Sequence, residues 1–237
     1  MTAKHNSYYS PFIETPWTAF LAGIHRDTDA LGQLIVAYWQ PVYAFLRRRG
    51  FSRPDAEDLV QAFFARVIEQ TELLKRADPG KGRFRTFLLT LLKRYVRDER
   101  ALRQGRFERE LVEWNALWES ASGAHEPVAA SQETPEECFM RAYAQGVLER
   151  AWGRFQQRAT QAGHPEWAKA LQRRQEISGR PSYEQLGAAL GLSKGGFKNA
   201  LARGKALYKR TLLEEVRNTL GSSLNAEEEV RELLRYA

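Results

Sequence analysis

Apolar side chains along most of this chain recur every three or four residues, the spacing of one face of an α-helix. The stripe over 30–49 consists of Leu31, Leu34, Ile35, Tyr38, Trp39, Val42, Phe45 and Leu46. Pro41 lies inside it, so we expect that helix to kink or split there. A second stripe covers 52–70, and a long helix is predicted from about 84 to 113. The alternation typical of β-strands is nearly absent, so the sequence predicts an all-α fold.

Composition changes sharply between residues 119 and 137, where Glu occurs without any Lys or Arg and Ser, Ala, Gly and Pro fill the rest. We interpret this segment as a flexible acidic linker that joins two small helical domains. The predicted organisation is an irregular segment (1–16), a first helical domain (17–118), the linker (119–137), a second helical domain (138–220) and an amphipathic tail (221–237). In the tail we expect Asn225 to cap a helix whose apolar side holds Val230, Leu233 and Leu234.

Residues 182–210 have the pattern of two helices joined by a tight turn. Ser182 and Gln185 have the spacing of a capping box, and Gly191 can adopt the positive φ that ends a helix. Ser193 is then expected to cap the second helix, which is basic. Its charged residues are Lys194, Lys198, Arg203, Lys205, Lys209 and Arg210. This is the arrangement of a helix-turn-helix that lays its second helix in the DNA major groove. The alternative is a helical hairpin with a solvated basic face.

The net charge is +7, from 36 basic and 29 acidic residues in 237. Such a balance suits a nucleic-acid partner, although ribosomal and membrane-surface proteins share it. A second concentration of charge lies between 81 and 109, where acids are few. Its basic residues are Lys81, Arg83, Arg85, Lys93, Arg94, Arg97, Arg100, Arg103, Arg106 and Arg109. An arginine-rich helix with aromatic residues suits phosphates and unstacked bases, and the alternative is again a solvated face.

Other kinds of chemistry have little support in the sequence. Cys138 is the single cysteine and has no nearby His in sequence, so neither an internal disulfide nor a catalytic thiol is expected. The four histidines, His5, His25, His125 and His164, lack the spacing of metal ligands. No stretch approaches the ~18 apolar residues that a membrane span needs, and the N-terminus lacks a signal-peptide pattern. We therefore expect a cytoplasmic, non-enzymatic protein without cofactor, metal or membrane insertion.

Three motifs, in order, resemble segments of bacterial RNA polymerase sigma factors, in the extracytoplasmic-function (ECF) group of the sigma-70 family. Residues 55–64 read DAEDLVQAFF and are similar to the family's D-A-E-D-L-x-Q-x-x-F signature. Residues 82–89 read GRFRTFLL and look like its G-x-F-R-x-W-L-x segment. Residues 182–210 resemble the S-Y-x-E-I-A-x-x-L-G-I-S-x-G-T-V-K-S-R-L-x-R-A segment. The resemblance covers roughly residues 25–215, in the order of sigma regions two and four.

The resemblance implies a factor that binds core RNA polymerase, recognises −35 and −10 promoter elements and promotes melting, while the polymerase supplies catalysis. The residues implied to bind the β′ clamp helices are Asp55, Glu57, Asp58, Leu59, Gln61 and Phe64. Those implied to bind the −10 element are Lys81, Arg83, Arg85, Lys93, Arg94, Arg97, Asp98, Arg100 and Arg103. Those implied to bind the −35 element are Ser193, Lys194, Gly195, Gly196, Lys198, Asn199, Arg203 and Lys205. The polymerase β flap is a further implied partner, and an anti-sigma or other regulatory protein is a hypothesis that rests on the surplus tail.

Some positions depart from the family pattern. Phe87 stands where the family has Trp, and 93–98 reads KRYVRD in place of R-N-L-A-L-D. Gly196 and Ala200 likewise replace usual residues of the second helix. The promoter sequence therefore does not carry over from the resemblance. The alternative function is a stand-alone helix-turn-helix transcription regulator, which would not need the surface at 55–64.

Overall fold

The computed structural model of the chain describes residues 28–69, 82–114, 133–176, 181–219 and 225–236. The described residues form eight helices and no strand, so the all-α prediction is confirmed. The helices are α1 (Thr28–Arg48), α2 (Arg53–Glu69), α3 (Phe84–Trp114), α4 (Pro135–Gln161), α5 (Glu166–Glu176), α6 (Tyr183–Ala188), α7 (Lys194–Thr219) and α8 (Ala226–Leu233). No helix among them has the length and hydropathy needed to cross a membrane.

The chain divides into two compact units, and the boundary falls inside α4. The first unit runs to Tyr143 and includes Asn218–Ser223, whereas the second comprises Ala144–Arg217 and Leu224–Ala237. The predicted N-terminal segment and most of the predicted linker lie outside the described residues. The described end of that linker, 133–137, forms the N-cap and first turn of α4, where the Glu137 carboxylate accepts hydrogen bonds from the backbone N–H and hydroxyl of Thr134.

The first unit is built around an aromatic core. Tyr38 of α1 is 1% exposed, and its ring lies 5.3 Å from the rings of both Phe84 of α3 and Tyr143 of α4. Phe63 of α2 contacts Tyr95 of α3 at 5.5 Å between ring centroids. Edge-to-face and offset stacks of this kind add about 0.5–1.5 kcal/mol each beyond the area they bury. α1 is a single helix that runs through Pro41, so the alternative of a split helix is wrong.

The second unit packs α5, α6 and α7 around Phe155 of α4. The buried residues of its core are Phe155, Ala159, Ala168, Ala170, Leu171, Leu186, Phe197, Ala200 and Leu201. Beside them, Trp152 and Tyr208 contact each other at 5.5 Å and both contact the Phe155 ring. Burial of Tyr208 raises the pKa of its hydroxyl. This core fixes one face of α7 inward and leaves its basic face outward.

A buried ion-pair network joins α4 to the second half of α7. The Glu215 side chain is 2% exposed and lies 2.8 Å from Nε of Arg150 and 2.7 Å from Nη1 of Arg154. One turn further along α4, Arg158 pairs with Glu214. A carboxylate this deeply buried is tolerated because cations compensate its charge.

The predicted tail helix is present as α8. The Asn225 side chain accepts a hydrogen bond from the backbone N–H of Glu227 at 2.9 Å, which confirms the predicted cap. Leu233 is 1% exposed, but Leu234 is 54% exposed, so its predicted place on the apolar side is wrong. Glu229 takes an inward position instead, at 0% exposure, which the apolar pattern did not indicate.

Two glycines of the second unit allow close helix approach. A Cβ at Gly187 of α6 would lie 2.6 Å from the Leu192 carbonyl oxygen and 3.2 Å from Cβ of Phe197. A Cβ at Gly204 of α7 would lie 2.7 Å from the Trp167 carbonyl oxygen. Because backbone atoms occupy these positions, only glycine fits without a shift of one helix against the other.

We predict opposite stability effects for two Gly→Ala substitutions in this unit. Gly187→Ala should lower the free energy of unfolding by about 1–3 kcal/mol through overpacking. Gly153→Ala, in α4 with open space around the site, should raise it by about 0.5–1 kcal/mol through helix propensity. Chemical unfolding followed by circular dichroism measures both. Equal effects of the two substitutions would contradict the close packing of α6 on the start of α7.

Candidate functional site

The outward face of α2 is the first candidate surface. The helix begins after Ser52, whose hydroxyl accepts a hydrogen bond from the backbone N–H of Asp55 at 3.3 Å. An ion pair of 3.0 Å between Arg53 and Glu57 supports its first turn. After the first turn, the exposed positions recur at helical spacing, and they are Asp58, Gln61, Ala62, Ala65, Ile68 and Glu69. We call these six residues the α2 stripe. It combines two carboxylates with a small apolar centre, which suits contact with a protein partner.

The structure places the six residues predicted for this surface in two groups. Asp58 and Gln61 are exposed, and Asp55 and Glu57 are partly exposed. Two residues do not lie on the surface, which corrects the prediction for them: Leu59 is 4% exposed and Phe64 is 3% exposed. The Phe64 ring packs against the buried ring of Phe63 and the partly buried ring of Trp39. Leu59 and Phe64 therefore hold α2 in place rather than meeting a partner.

The outward face of α3 is the second candidate surface, and it is basic. Its exposed residues between 86 and 97 are Thr86, Thr90, Lys93, Arg94 and Arg97. We call these five the α3 face. The Thr90 hydroxyl donates to the Thr86 carbonyl at 2.8 Å, so this hydroxyl has its partner within the helix. Three cations within two turns form a surface that suits a phosphate backbone.

Other residues predicted for DNA contact have structural partners. Arg85 is 3% exposed, and its guanidinium lies 5.5 Å from the centre of the Tyr143 ring, so its predicted contact with DNA is corrected to a core position. Arg100 donates to the Arg49 carbonyl oxygen at 2.5 Å and lies over Phe51 at 5.3 Å. It thereby ties α3 to the segment after α1. The charge of an arginine does not distinguish a cation–π partner inside the fold from a phosphate outside it.

Two of the residues predicted to bind the −10 element form short ion pairs. Nη2 of Arg97 lies 3.2 Å from its neighbour Asp98, and Nζ of Lys93 lies 2.7 Å from Oε1 of Glu136 at the start of α4. The hydrogen bond from Lys93 lowers the pKa of the Glu136 carboxyl. Arg83 is partly exposed. Two further residues, Lys81 and the side chain of Arg103, lie outside the described residues.

The exposed face of α7 is the third candidate surface. The Ser193 hydroxyl accepts a hydrogen bond from the backbone N–H of Gly196 at 3.1 Å, which confirms the predicted cap. Gly196 is partly exposed, and the other residues predicted for DNA contact are exposed: Ser193, Lys194, Gly195, Lys198, Asn199, Arg203 and Lys205. Arg203 also lies 5.9 Å from the centre of the Trp167 ring. We call these eight residues the α7 face.

The turn before α7 has the predicted local geometry. The Ser182 and Gln185 pair forms a complete capping box, with bonds of 3.0 and 3.2 Å. Gly191 has φ of 67°, and the backbone N–H of Leu192 donates to the Gly187 carbonyl at 2.9 Å. Leu192 packs against the core of the second unit, so the turn is fixed and α7 begins at a defined position.

The first unit of the chain matches a known protein family. The family model described as Sigma-70 region 2 matches residues 34–107, which cover α1 from Leu34, all of α2 and α3 up to Phe107. This match supports a factor of the sigma-70 family, whose members are non-catalytic subunits that give RNA polymerase its promoter specificity. A region 2 domain indicates binding to the polymerase core and recognition of the −10 element. No curated protein and no solved structure matches the chain at a significant level.

We searched the part of the chain that the structure describes for a metal site and considered the surroundings of its cysteine. There, no three His, Cys, Asp or Glu side chains lie where they could hold a metal ion together. Cys138 is partly buried, with Sγ 3.7 Å from a carboxylate oxygen of Glu133.

The burial of Phe64 generates a prediction about stability. Phe64→Ala should lower the free energy of unfolding by about 3–5 kcal/mol, because it leaves a cavity between Trp39 and Phe63. Gln61→Ala, on the exposed side of the same helix, should change it by about 0.5 kcal/mol or less. Thermal and urea unfolding of the two variants test this difference. A stable Phe64→Ala protein would place that side chain back on the surface.

Proposed function

We propose that this chain is a sigma factor of the ECF group, which binds core RNA polymerase, recognises −35 and −10 elements and promotes promoter melting. The observation that carries the proposal is the region 2 match over 34–107, on a unit that exposes two chemically different helix faces. The α2 stripe carries two carboxylates and a small apolar centre, whereas the α3 face is basic. Such a pair can serve two partners at once, one a protein and the other a nucleic acid.

Core polymerase binding belongs to the α2 stripe in this proposal. Asp58 and Gln61 lie at its N-terminal end, with the partly exposed Asp55 and Glu57 just before them at the start of the helix. The polymerase β′ clamp helices are the partner that the resemblance implies. Leu59 and Phe64 act from the core by fixing the orientation of α2.

Recognition and melting of the −10 element belong to the α3 face. Arg94 and Arg97 are exposed cations one turn apart, which is suited to following the phosphates of one strand. Phe87 is partly exposed at the first turn, and its ring lies 6.1 Å from that of Phe84. A ring at that position can stack on an unpaired base, an interaction worth about 1–3 kcal/mol per base. We therefore assign Phe87 to the base captured during melting.

Recognition of the −35 element belongs to the α7 face. From 194 to 213 the chain holds six basic residues and no acidic one, and all six basic side chains are exposed. Lys194, Lys198 and Lys205 recur near the helical repeat, so they share one edge of the face. Asn199 lies beside that edge and is the residue best suited to a base, because its amide can bond adenine at two atoms.

The remaining partners follow from this assignment. A factor that acts with RNA polymerase on DNA works in the cytoplasm, and the polymerase β flap is the partner implied for the second unit. An anti-sigma protein remains a hypothesis about the tail. α8 packs as part of the second unit, with Leu233 and Glu229 buried, so a regulator would meet only its outer side.

A charge reversal on the α2 stripe tests core binding. Asp58→Arg combined with Gln61→Ala should reduce capture of core polymerase by at least about tenfold without loss of helix content, because a like charge and a lost contact both oppose docking. Glu149→Arg, an exposed charge reversal in α4, is the matched control and should leave capture unchanged. Unaltered capture by the double variant, measured in a DNA-free pull-down, would refute the polymerase-binding role. It would leave the stand-alone regulator as the better function.

Substitutions on the α7 face test DNA reading. Lys198→Ala should weaken binding to promoter duplexes and reduce the slope of log affinity against log salt by about one, as expected for one lost phosphate contact. Asn199→Ala should instead alter sequence preference in a selection from random duplexes. Lys169→Ala removes an exposed lysine of α5 and should do neither. Equal salt slopes for Lys198→Ala and Lys169→Ala would contradict the assignment of α7.

A further inference from the structure

The α3 face already has an anionic partner within its own unit. Nζ of Lys93 lies 2.7 Å from Oε1 of Glu136, which is 43 positions later in the sequence. The Lys93 side chain is 46% exposed and the Glu136 side chain is 39% exposed. Lys93 stands one helical turn before Arg97 on the same face. A carboxylate therefore occupies the position that a phosphate oxygen would take if a DNA strand followed α3.

The start of α4 is fixed on the first unit, so Glu136 is held beside Lys93. Phe139 is fully buried and Tyr143 is 2% exposed, one and two turns further along the helix. Before the helix, the Glu133 carbonyl oxygen accepts a hydrogen bond of 2.5 Å from Nε of Arg48 in α1. Because the backbone is ordered by these contacts, the pair with Lys93 costs only side-chain freedom.

A carboxylate and a phosphate can occupy the same place beside a lysine, so they compete for it. The ε-ammonium is a compact point charge that binds either anion without a required fork geometry, unlike an arginine. Glu136 is ionised at neutral pH, as an ordinary glutamate is. Its hydrogen bond from Lys93 lowers the pKa of the carboxyl further. A DNA strand must therefore displace this carboxylate or do without Lys93.

We propose that Glu136 is an intramolecular competitor of DNA for Lys93, so that strand binding on the α3 face requires release of this ion pair. The inference rests on the proposed function, since it assumes that the α3 face binds DNA. In this proposal, the start of α4 lowers the affinity of the DNA-free protein for single-stranded DNA. A partly exposed pair of this kind holds weakly, so the competition is a moderate restraint rather than a lock.

The neighbouring acid provides a matched control. Glu137 carries the same charge one residue further on, but both of its bonds go to Thr134, at 2.7 and 2.9 Å. Glu137→Gln keeps an oxygen that can accept those bonds and removes the same charge as Glu136→Gln. The loss of net charge is therefore the same in the two variants, and a difference between them reports the contact with Lys93.

The experiment measures binding of the full chain to a fluorescent single-stranded DNA of degenerate sequence, about 12 nucleotides long, by anisotropy at several salt concentrations. Glu136→Gln should bind about twofold to fivefold more tightly than Glu137→Gln at low salt, and the gap should narrow as salt rises. In a Lys93→Ala background the two Gln variants should bind equally. Circular dichroism confirms that all variants keep their helix content.

Three results would overturn the inference. Equal affinities of Glu136→Gln and Glu137→Gln would show that the ion pair does not restrain DNA, with the proposed function intact. An advantage of Glu136→Gln that persists with Lys93→Ala would show that it arises elsewhere. Failure of every variant, including the unmodified chain, to bind the strand would remove the α3 face as a DNA surface and with it both the inference and the −10 assignment.

Discussion

The first unit depends on the packing of Tyr38. Its ring is almost fully buried and meets Phe84 of α3 on one side and Tyr143 of α4 on the other, each at 5.3 Å. Three helices that are far apart in sequence therefore share one contact. Close-packed protein interiors accept little change of volume, which restricts how these three helices can be arranged. The outward direction of α3 follows from it, and α2 is held on α3 by the contact between Phe63 and Tyr95.

That constraint separates residues that can meet a partner from residues that cannot. Leu59, Phe64 and Arg85 belong to motifs with a functional resemblance, yet the core requires their side chains. A family signature thus contains both buried residues that support a surface and exposed residues that make up that surface. Arg85 is the clearest example, because a guanidinium stacked over Tyr143 serves the fold while its neighbours on α3 face outward.

Local signals were well predicted from the sequence. The helical periodicity, the capping box at Ser182 and the left-handed Gly191 all depend on residues within a few positions of one another. The Lys93–Glu136 pair and the burial of Arg85 depend instead on where α4 packs, and periodicity carries no information on such distant contacts. A different reason explains why composition predicted a linker up to residue 137 while α4 begins at Pro135. Acidic residues near a helix start satisfy N-terminal N–H groups as readily as they solvate a linker.

The central claim is that the chain gives RNA polymerase promoter specificity, and transcription in vitro tests it most directly. Core RNA polymerase is incubated with fragments of the source genome, with and without the full chain, and the 5′ ends of the transcripts are mapped. The account predicts transcripts with discrete start sites that appear only when the chain is present, each preceded by two shared upstream sequence elements. Identical transcripts with and without the chain would contradict it.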